Sequence, residues 1–424
     1  MLERAQDDDV LVSHIAAFDI GKAELTCCVR VPDPQREGGR LQAVSTHSTM
    51  TRALLELLDE LIGLGVTRVV MEATGDYWKG PFYLAEAVGL EVWVVNAKHV
   101  KHLPGRPKTD KLDAVWLCKV AERGMVRASF VPPPPIRVLR DLTRYRVDLA
   151  VQATAEKQRV EKLLEDAQIK LSVVASDIFG VSGRAMMAAL VAGERDPARL
   201  AQMARSRLRA KIEQLEEAFH GGGRFDDHHA FLLSTMLARV DALQADIATL
   251  EQRIEQQIAP FAEAAARLQT TPGIGPVAAW TIIGEIGLDM TRFPTAAHLA
   301  SWAGFAPLVK QSAGKNKGKN ATGHGNPYLA RTLGQVVLAV ARTDTFLGDR
   351  YRRLVRRRGK RKAMVAVARS ILTVIWNLLS DPHATFTDLG ADFHDTRRGT
   401  QRAVRHHVER LQALGHTVTL GPAA

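Results

Sequence analysis

HIAAFDIGK, residues His14–Lys22, is an apolar run that ends in an acid and a glycine. A short apolar run bounded by turn residues predicts a buried β-strand, with Asp19 at its end. Two more strand-like runs follow at residues 25–31 and 41–45, joined by the turn-rich PDPQREGGR. Three strands in a row predict the antiparallel start of a sheet.

The chain beyond this start alternates between helix and strand patterns. Residues 51–64 have helical apolar spacing, residues 67–71 form a β-branched run that ends at Glu72, and 81–88 and 90–95 repeat helix and strand. A helix then begins within GRPKTDKLDA, residues 105–114. The order βββαβαβ is typical of an RNase H or RuvC-like fold, a mixed sheet with helices packed on it.

Four acids fall at the ends of these elements. Asp19 ends the first strand, Glu72 ends the fourth, and Asp110 and Asp113 start the helix after the fifth. Strand ends meet at one edge of such a sheet, where ligands bind. Carboxylate oxygens there are expected to hold Mg²⁺ or Mn²⁺, and a metal pair assists in-line displacement at phosphorus. The alternative is that Asp110 caps the helix and Asp113 is an acid of its first turn.

The charge of the chain is uneven. Lys and Arg number 57 against 46 Asp and Glu, for a formal charge of +11, and no carboxylate lies between Met290 and Thr343. Nine of the thirteen residues from Arg350 to Lys362 are basic. This density favours a nucleic-acid partner. The predicted nucleic-acid contacts include Arg356, Arg357 and Arg358 of this tract, and Lys108 and Lys111 beside the acids. The alternative is that these side chains are only solvated.

Several classes of protein are disfavoured. Three cysteines without a C-x-x-C pair suggest neither a zinc site nor a disulfide framework. The start MLERAQDDDV has no apolar segment, and the apolar run at residues 363–379 is interrupted by Arg369 and Asn377. We therefore expect a cytoplasmic protein with no membrane partner.

The middle of the chain is helical after the proline run at residues 131–135. Apolar residues recur there at alternating steps of four and three, which predicts a heptad seam: Met236, Val240, Leu243, Ile247, Leu250 and Ile254. The seam indicates either an oligomerising coiled coil, the favoured interpretation, or an arm folded back on its own chain, with residues 138–171 as antiparallel mate.

Two features of the C-terminal half are candidates for nucleic-acid contact. The G-I-G of TPGIGP, with Gly273 and Gly275, resembles the turn of a helix-hairpin-helix element, whose amides can hold a phosphate. A tight turn without a ligand is the alternative. Residues 310–325 are rich in Gly, Lys and Asn and predict a basic surface loop, which contains Ser312 and three candidate lysines: Lys310, Lys315 and Lys317.

Together these motifs resemble the DEDD transposases of bacterial insertion sequences, insertion-sequence family one-ten. FDIGK, MEATGDYW and KTDKLDA carry the four acids, Asp19, Glu72, Asp110 and Asp113. TPGIGPVAAWTIIGEIG, WAGFAPLVKQSAGKNK and GHGNPYLARTL are similar to that family's C-terminal domain. The resemblance spans roughly residues 12 to 345. It implies that Ser312 is the nucleophile, although Ala313 stands before Gly314 where the family often has glycine.

The resemblance implies an enzyme and an α/β plus α architecture. The predicted domains are a RuvC-like catalytic domain at 1–130, a helical coiled-coil arm at 131–262, a C-terminal transposase domain at 263–346 and a basic extension at 347–424. The implied reaction is metal-assisted DNA cleavage and exchange through a phosphoserine. The implied partners are donor and target DNA and a structured guide RNA. Exchange of several strands, together with the heptad seam, favours a dimer or tetramer. The alternatives are a RuvC-like nuclease that activates water and a non-catalytic nucleic-acid-binding protein.

Overall fold

The computed structural model describes residues 12–36, 39–73, 75–96, 110–307, 311–312, 315–316, 322–323, 325–393 and 400–421. Within these ranges the backbone alone is described for residues 110, 222, 311–312, 315–316 and 400–403. The chain divides into two compact units between Val131 and Pro132.

The first unit contains one mixed sheet of five strands. Its strands are β1 Ile15–Ile20, β2 Glu24–Pro32, β3 Arg40–Ser48, β4 Arg68–Glu72 and β5 Glu91–Val95. Their order across the sheet is β3-β2-β1-β4-β5. Strand β1 pairs antiparallel with β2 and parallel with β4, and β4 pairs parallel with β5. The predicted mixed sheet is therefore confirmed.

Helices cover both faces of the sheet. They are α1 Thr51–Gly63, α2 Lys79–Ala87 and α3 Asp110–Glu122. On β1, Ala16 and Phe18 pack in the core with α1 and α2, whereas Ile15 and Ala17 pack in the core with α3. Because β1 is buried on both sides, its residues from Ile15 to Phe18 are continuously apolar rather than alternating.

The second unit is almost entirely helical in its described residues. Its helices are α4 Pro134–Asp166, α5 Leu171–Val174, α6 Val181–Val191, α7 Pro197–Gln202, α8 Ile212–His220, α9 Asp227–Ile258, α10 Ala262–Gln269, α11 Pro276–Ile286, α12 Ala296–Trp302, α13 Pro327–Val340, α14 Phe346–Arg358, α15 Lys360–Ser380 and α16 Thr400–Ala413. Four short 3₁₀ helices join them, at Ser206–Lys211, Gly221–Arg224, Ala259–Phe261 and Met290–Arg292. A hairpin of β6 Gln311–Ser312 and β7 Lys315–Asn316 is its small sheet.

The two longest helices, α4 and α9, pack against each other within one chain. Leu243 of the predicted seam packs with Leu149 and Ala153 of α4. Arg146 of α4 donates from Nε to Glu251 of α9 at 2.8 Å. The seam is thus covered as in an arm folded back on its own chain, and oligomerisation through it stays a prediction. Helices α5 to α8 form a separate core with the C-terminal end of α4 and the start of α9.

A third core joins the remaining helices. The start of α4, the end of α9 and helices α10 to α15 contribute its buried side chains. Helix α15 is long and apolar enough to cross a membrane, but its apolar residues Val367, Ile371 and Ile375 are buried in this core while Arg369 and Asn377 are exposed. The burial pattern of α15 is therefore that of a core helix.

Candidate functional site

Two of the predicted acids lie on adjacent strands. The parallel pairing of β1 with β4 ends at Phe18 opposite Met71, so the next residues, Asp19 and Glu72, occupy neighbouring positions. Asp19 lies two residues after Ala17, and Glu72 lies two residues after Val70. The side chains of Ala17 and Val70 belong to the core that α3 covers. Side chains alternate along a strand, so both acids point to the α3 face. Both are half-buried.

Helix α3 runs antiparallel to β1, which brings its start toward the same end of the sheet. The Val12 amide donates to the carbonyl of Glu122 at 3.2 Å, and the Cys118 thiol donates to the carbonyl of Ile15 at 3.7 Å. From Cys118 back to Asp110 the helix rises about 12 Å. From Ile15 on to Asp19 the strand extends about 13 Å. The helix therefore begins level with Asp19.

The far end of α3 is fixed by a buried ion pair. Glu122 is buried and accepts a hydrogen bond at 2.8 Å from Nε of Arg30 on β2. The helix is thus held to the sheet by packing and charge, which fixes where its first turn lies.

The donor chemistry of this edge suits a hard cation, since every predicted ligand is a carboxylate. Asp113 is half-buried in the first turn of α3, Lys111 beside it is exposed, and the side chain of Asp110 lies outside the described residues. Among the side chains that are described, no three acids, histidines or cysteines are grouped closely enough to hold a metal ion. Asp19 and Glu72 occupy neighbouring positions, and a metal site of four carboxylates also requires Asp110 and Asp113.

The predicted serine lies on a hairpin in the second unit. Ser312 ends β6 and pairs with Lys315, and Gln311 pairs with Asn316. Lys108, Lys310 and Lys317 lie outside the described residues, and only the backbone of Lys315 is described. The backbone of Ser312 therefore lies opposite that of Lys315 in the pairing of β6 with β7.

The residues that flank the loop of this hairpin lie against each other. A Cβ on Gly325 would lie 2.0 Å from the carbonyl oxygen of Ala303, and a Cβ on Gly304 would lie 2.7 Å from the amide nitrogen of Gly325. Gly304 also has a φ of +78°, in the left-handed region. Pro307 and Thr322 form an isolated β-bridge just beyond. We call the contact of Gly304 with Gly325 the neck.

A cluster of charged and polar side chains around a buried carboxylate lies beside the neck, and the sequence did not predict it. Glu285 of α11 is fully buried and accepts two hydrogen bonds from Arg144 of α4, at 2.7 and 2.8 Å. Its second oxygen also accepts from the side-chain amide of Asn326. Hydrogen bonding to Glu285 raises the pKa of Arg144. The one sequence signal was a carboxylate within the apolar run TIIGEI, which marks a charge that needs a buried partner.

The predicted glycine turn joins α10 to α11. Gly273 has a φ of +83°, and a Cβ there would lie 2.8 Å from Cγ2 of Val340 and 2.9 Å from the carbonyl oxygen of Val336. Gly275 directly precedes Pro276 at the start of α11, and a Cβ there would meet nothing within 4 Å. Both glycines line a cavity of about 450 Å³ that Arg331 also lines. Gly273 thus has a packing role, and Gly275 faces open space.

The basic tract is exposed at a break between two helices. Arg356, Arg357 and Arg358 form the last turn of α14. All three side chains are exposed, as are those of Lys360, Arg361 and Lys362 at the start of α15. Arginines suit the negative end of the α14 dipole, whereas three cations at the start of α15 face the positive end of its dipole. A bound anion would offset that repulsion.

Comparison with known proteins agrees with these features. Residues 16–169 match a DEDD transposase family of the IS110 type, and residues 265–352 match one described as "Transposase IS116/IS110/IS902 family". The chain is 27% identical over 346 residues to an uncharacterized 43.6 kDa protein of insertion element IS110 from Streptomyces coelicolor, covering 75% of this chain and 82% of that protein.

Two further relatives carry transposase names. The transposase for insertion sequence element IS1111A of Coxiella burnetii is 23% identical over 331 residues, which cover 77% of this chain and 81% of that protein. A probable family 20 transposase of Pseudomonas aeruginosa is 26% identical over 318 residues, which cover 74% and 83%. The resemblance found in the sequence is confirmed, and the chain belongs to the IS110 family of insertion-sequence transposases.

Proposed function

We propose that this transposase cleaves and exchanges DNA strands through a phosphoserine at Ser312, assisted by the acids Asp19, Glu72, Asp110 and Asp113. The adjacency of Asp19 and Glu72, at the end of the sheet toward which α3 begins, carries the proposal. The strand order β3-β2-β1-β4-β5, with β2 antiparallel to β1, supports a RuvC/RNase H-like assignment for the first unit.

Asp19, Glu72, Asp110 and Asp113 would hold Mg²⁺ or Mn²⁺. When bound, the metal would polarise the scissile phosphate and stabilise charge on its oxygens. The residues of the chain supply the geometry: parallel register aligns Asp19 with Glu72, and the antiparallel course of α3 brings the helix start level with them. Lys111, which is exposed on the first turn of α3, is a further proposed phosphate contact.

Ser312 would act as the nucleophile. Its Oγ forms a bond to phosphorus while the bond from phosphorus to a DNA oxygen breaks, and the hydroxyl proton of the serine ends on that leaving oxygen. A hydroxyl of another strand then attacks the phosphoserine, which returns the proton to Ser312 and reseals the DNA. One phosphate ester replaces another at each step, so the exchange needs no ATP.

Readout of sequence is assigned to a structured guide RNA that pairs with donor and target DNA, while the protein grips phosphate backbones. The exposed basic tract, including Arg356, Arg357 and Arg358, supports the backbone role. Gly275 and the cavity beside it, together with Lys108, Lys310, Lys315 and Lys317, are further proposed contacts.

The protein is proposed to work as a dimer or tetramer in which Ser312 of one subunit serves the acids of another. Mixing Ser312→Ala with Asp110→Ala protein tests this, because one of the sites in a mixed assembly then keeps both an intact serine and intact acids. We expect exchange activity to reappear on mixing, measured on labelled DNA. Failure to recover activity from co-assembled variants contradicts sharing between subunits.

The phosphoserine is tested by trapping a covalent complex on end-labelled DNA that spans the junctions of the element. Wild-type protein is expected to carry label through a denaturing gel, and Ser312→Ala is not. Ser301→Ala, at an exposed serine of α12, is the matched control and should retain the adduct. Cleavage by Ser312→Ala at the wild-type rate would assign the chain to nucleases that activate water.

A further inference from the structure

We propose that Glu285, Arg144 and Asn326 are positioning residues that hold the serine hairpin in its reactive place by fixing the neck of its loop. This inference rests on the proposed role of Ser312 as nucleophile. The three side chains form one hydrogen-bonded chain from the neck to the long helix α4.

The neck is the described junction between the hairpin and the helical unit. Within residues 305–324 the structure describes 305–307, 311–312, 315–316 and 322–323, and among these Phe305 is partly buried against the core of the unit. The residues on either side of the loop meet at the neck, where Gly325 lies against the carbonyl of Ala303. Fixing the neck therefore constrains where the hairpin can lie.

Asn326 directly follows the neck and has both ends of its side chain engaged. Its Oδ1 accepts hydrogen bonds from the amides of Tyr328 and Leu329, at 3.0 and 3.1 Å, and so caps α13. Its Nδ2 donates to Glu285. One side chain thus ties the neck to the start of α13 and to the C-terminal end of α11.

Glu285 is in turn held by α4. Arg144 binds its carboxylate with two hydrogen bonds, and Arg140 donates to the carbonyls of Gly284 and Glu285 at 2.8 and 2.7 Å. Helix α11 approaches α4 so closely at Gly284 that a Cβ there would lie 3.3 Å from Cα of Arg140. The neck is therefore anchored to two packed helices, the kind of rigid support that a reacting group needs.

A cluster that only stabilises the fold predicts a different response to substitution from one that positions the serine. Asn326→Ser keeps a capping hydroxyl for α13 and leaves the pair of Glu285 with Arg144 intact, so it removes only the link to the neck.

The experiment measures single-turnover adduct formation at saturating DNA, DNA affinity and thermal unfolding for each variant, below its unfolding transition. We expect Asn326→Ser to slow adduct formation by about a hundredfold, as a displacement of about 1 Å does, with DNA affinity unchanged. Asn326→Asp places two carboxylates together and is expected to be slower still.

Glu156→Gln is the matched control, because Glu156 is a buried carboxylate of α4 paired with Arg159 and Arg239 and belongs to no contact with the neck. It should lower the unfolding temperature and leave the adduct rate unchanged. Wild-type rates of adduct formation in folded Asn326→Ser and Asn326→Asp would overturn the positioning role. If the wild-type protein itself forms no adduct dependent on Ser312, the proposed function fails instead.

Discussion

The acid edge and the serine hairpin hold their groups by different physical means. Asp19 and Glu72 sit on paired strands of a sheet that is buried on both faces, so backbone register fixes their separation. Ser312 sits on a two-residue strand within a polar loop, and the side-chain cluster of Glu285 is hydrogen-bonded to Asn326, the residue that follows the neck of that loop. The backbone register of paired strands does not depend on any one side chain. An anchor made of side chains, such as the Glu285 cluster, is lost when one of its hydrogen bonds is removed.

Removing a carboxylate from the acid edge is expected to abolish chemistry without loosening the fold. Asp19→Asn or Glu72→Gln should lower the rate of cleavage about a thousandfold, the order found when a charge-stabilising group is removed. The unfolding temperature should change little, because each substitution keeps the size and shape of a half-buried side chain. Glu91→Gln, at the opposite end of the paired strands, is the control and should cleave normally. A large drop in stability would make these acids structural.

Breaking the neck should impair chemistry and stability together. Gly325→Ala forces a Cβ to within 2.0 Å of the Ala303 carbonyl, so the residues on either side of the loop must separate. We expect the yield of adduct to fall about a hundredfold and a destabilisation of about 1–3 kcal/mol from the strain, measured by adduct assay and denaturant unfolding. Gly323→Ala, where a Cβ meets nothing within 4 Å, is the control two residues away. Equal behaviour of the two variants contradicts the neck.

Strand positions could be predicted from the sequence, because a buried strand gives a local, mostly apolar run such as residues 15–20. The helix beginning in KTDKLDA is confirmed at Asp110. The neighbouring placement of Asp19 and Glu72 needs the parallel register, which no local pattern specifies. Glu285 was missed because its partners lie 141 and 41 residues away in the chain.

The arm shows the same limit. The apolar period of its seam was legible in the sequence, and that period is compatible with a partner helix in another chain or in the same one. Tertiary packing decides between them, and Leu243 packs on Leu149 of its own chain. Periodicity thus identifies a buried face without identifying what covers it.

The basic tract should affect binding more than chemistry, unlike either region above. Replacing Arg356, Arg357 and Arg358 by Gln should lower the slope of log affinity against log salt by about 0.9 for each phosphate of duplex DNA that the protein no longer neutralises. Titrations at several salt concentrations measure this slope. Arg52→Gln, at an exposed arginine of α1 paired with Glu56, should leave it unchanged. An unaltered slope in the triple variant would make the tract a solvated surface.

The glycine turn should give the smallest effect and separate packing from binding. Gly273→Ala strains a positive φ and crowds Val340, so we expect stability to fall by about 1–3 kcal/mol. Gly275→Ala has room and an ordinary φ, so its stability should change by less than about 0.5 kcal/mol. A weakened affinity for nucleic acid in Gly275→Ala would support a phosphate contact, and unchanged affinity would leave the turn purely structural.

The central claim is that the acids and Ser312 act on the same phosphodiester, and peptide mapping of the cleaved complex tests it most directly. After nuclease digestion, mass spectrometry of the wild-type protein should find a nucleotide esterified to the peptide that contains Ser312. The same peptide from Asp19→Asn protein, bound to the same DNA, should be unmodified. Cut DNA with no nucleotide on Ser312, or an equally modified Ser312 in Asp19→Asn, would contradict the claim.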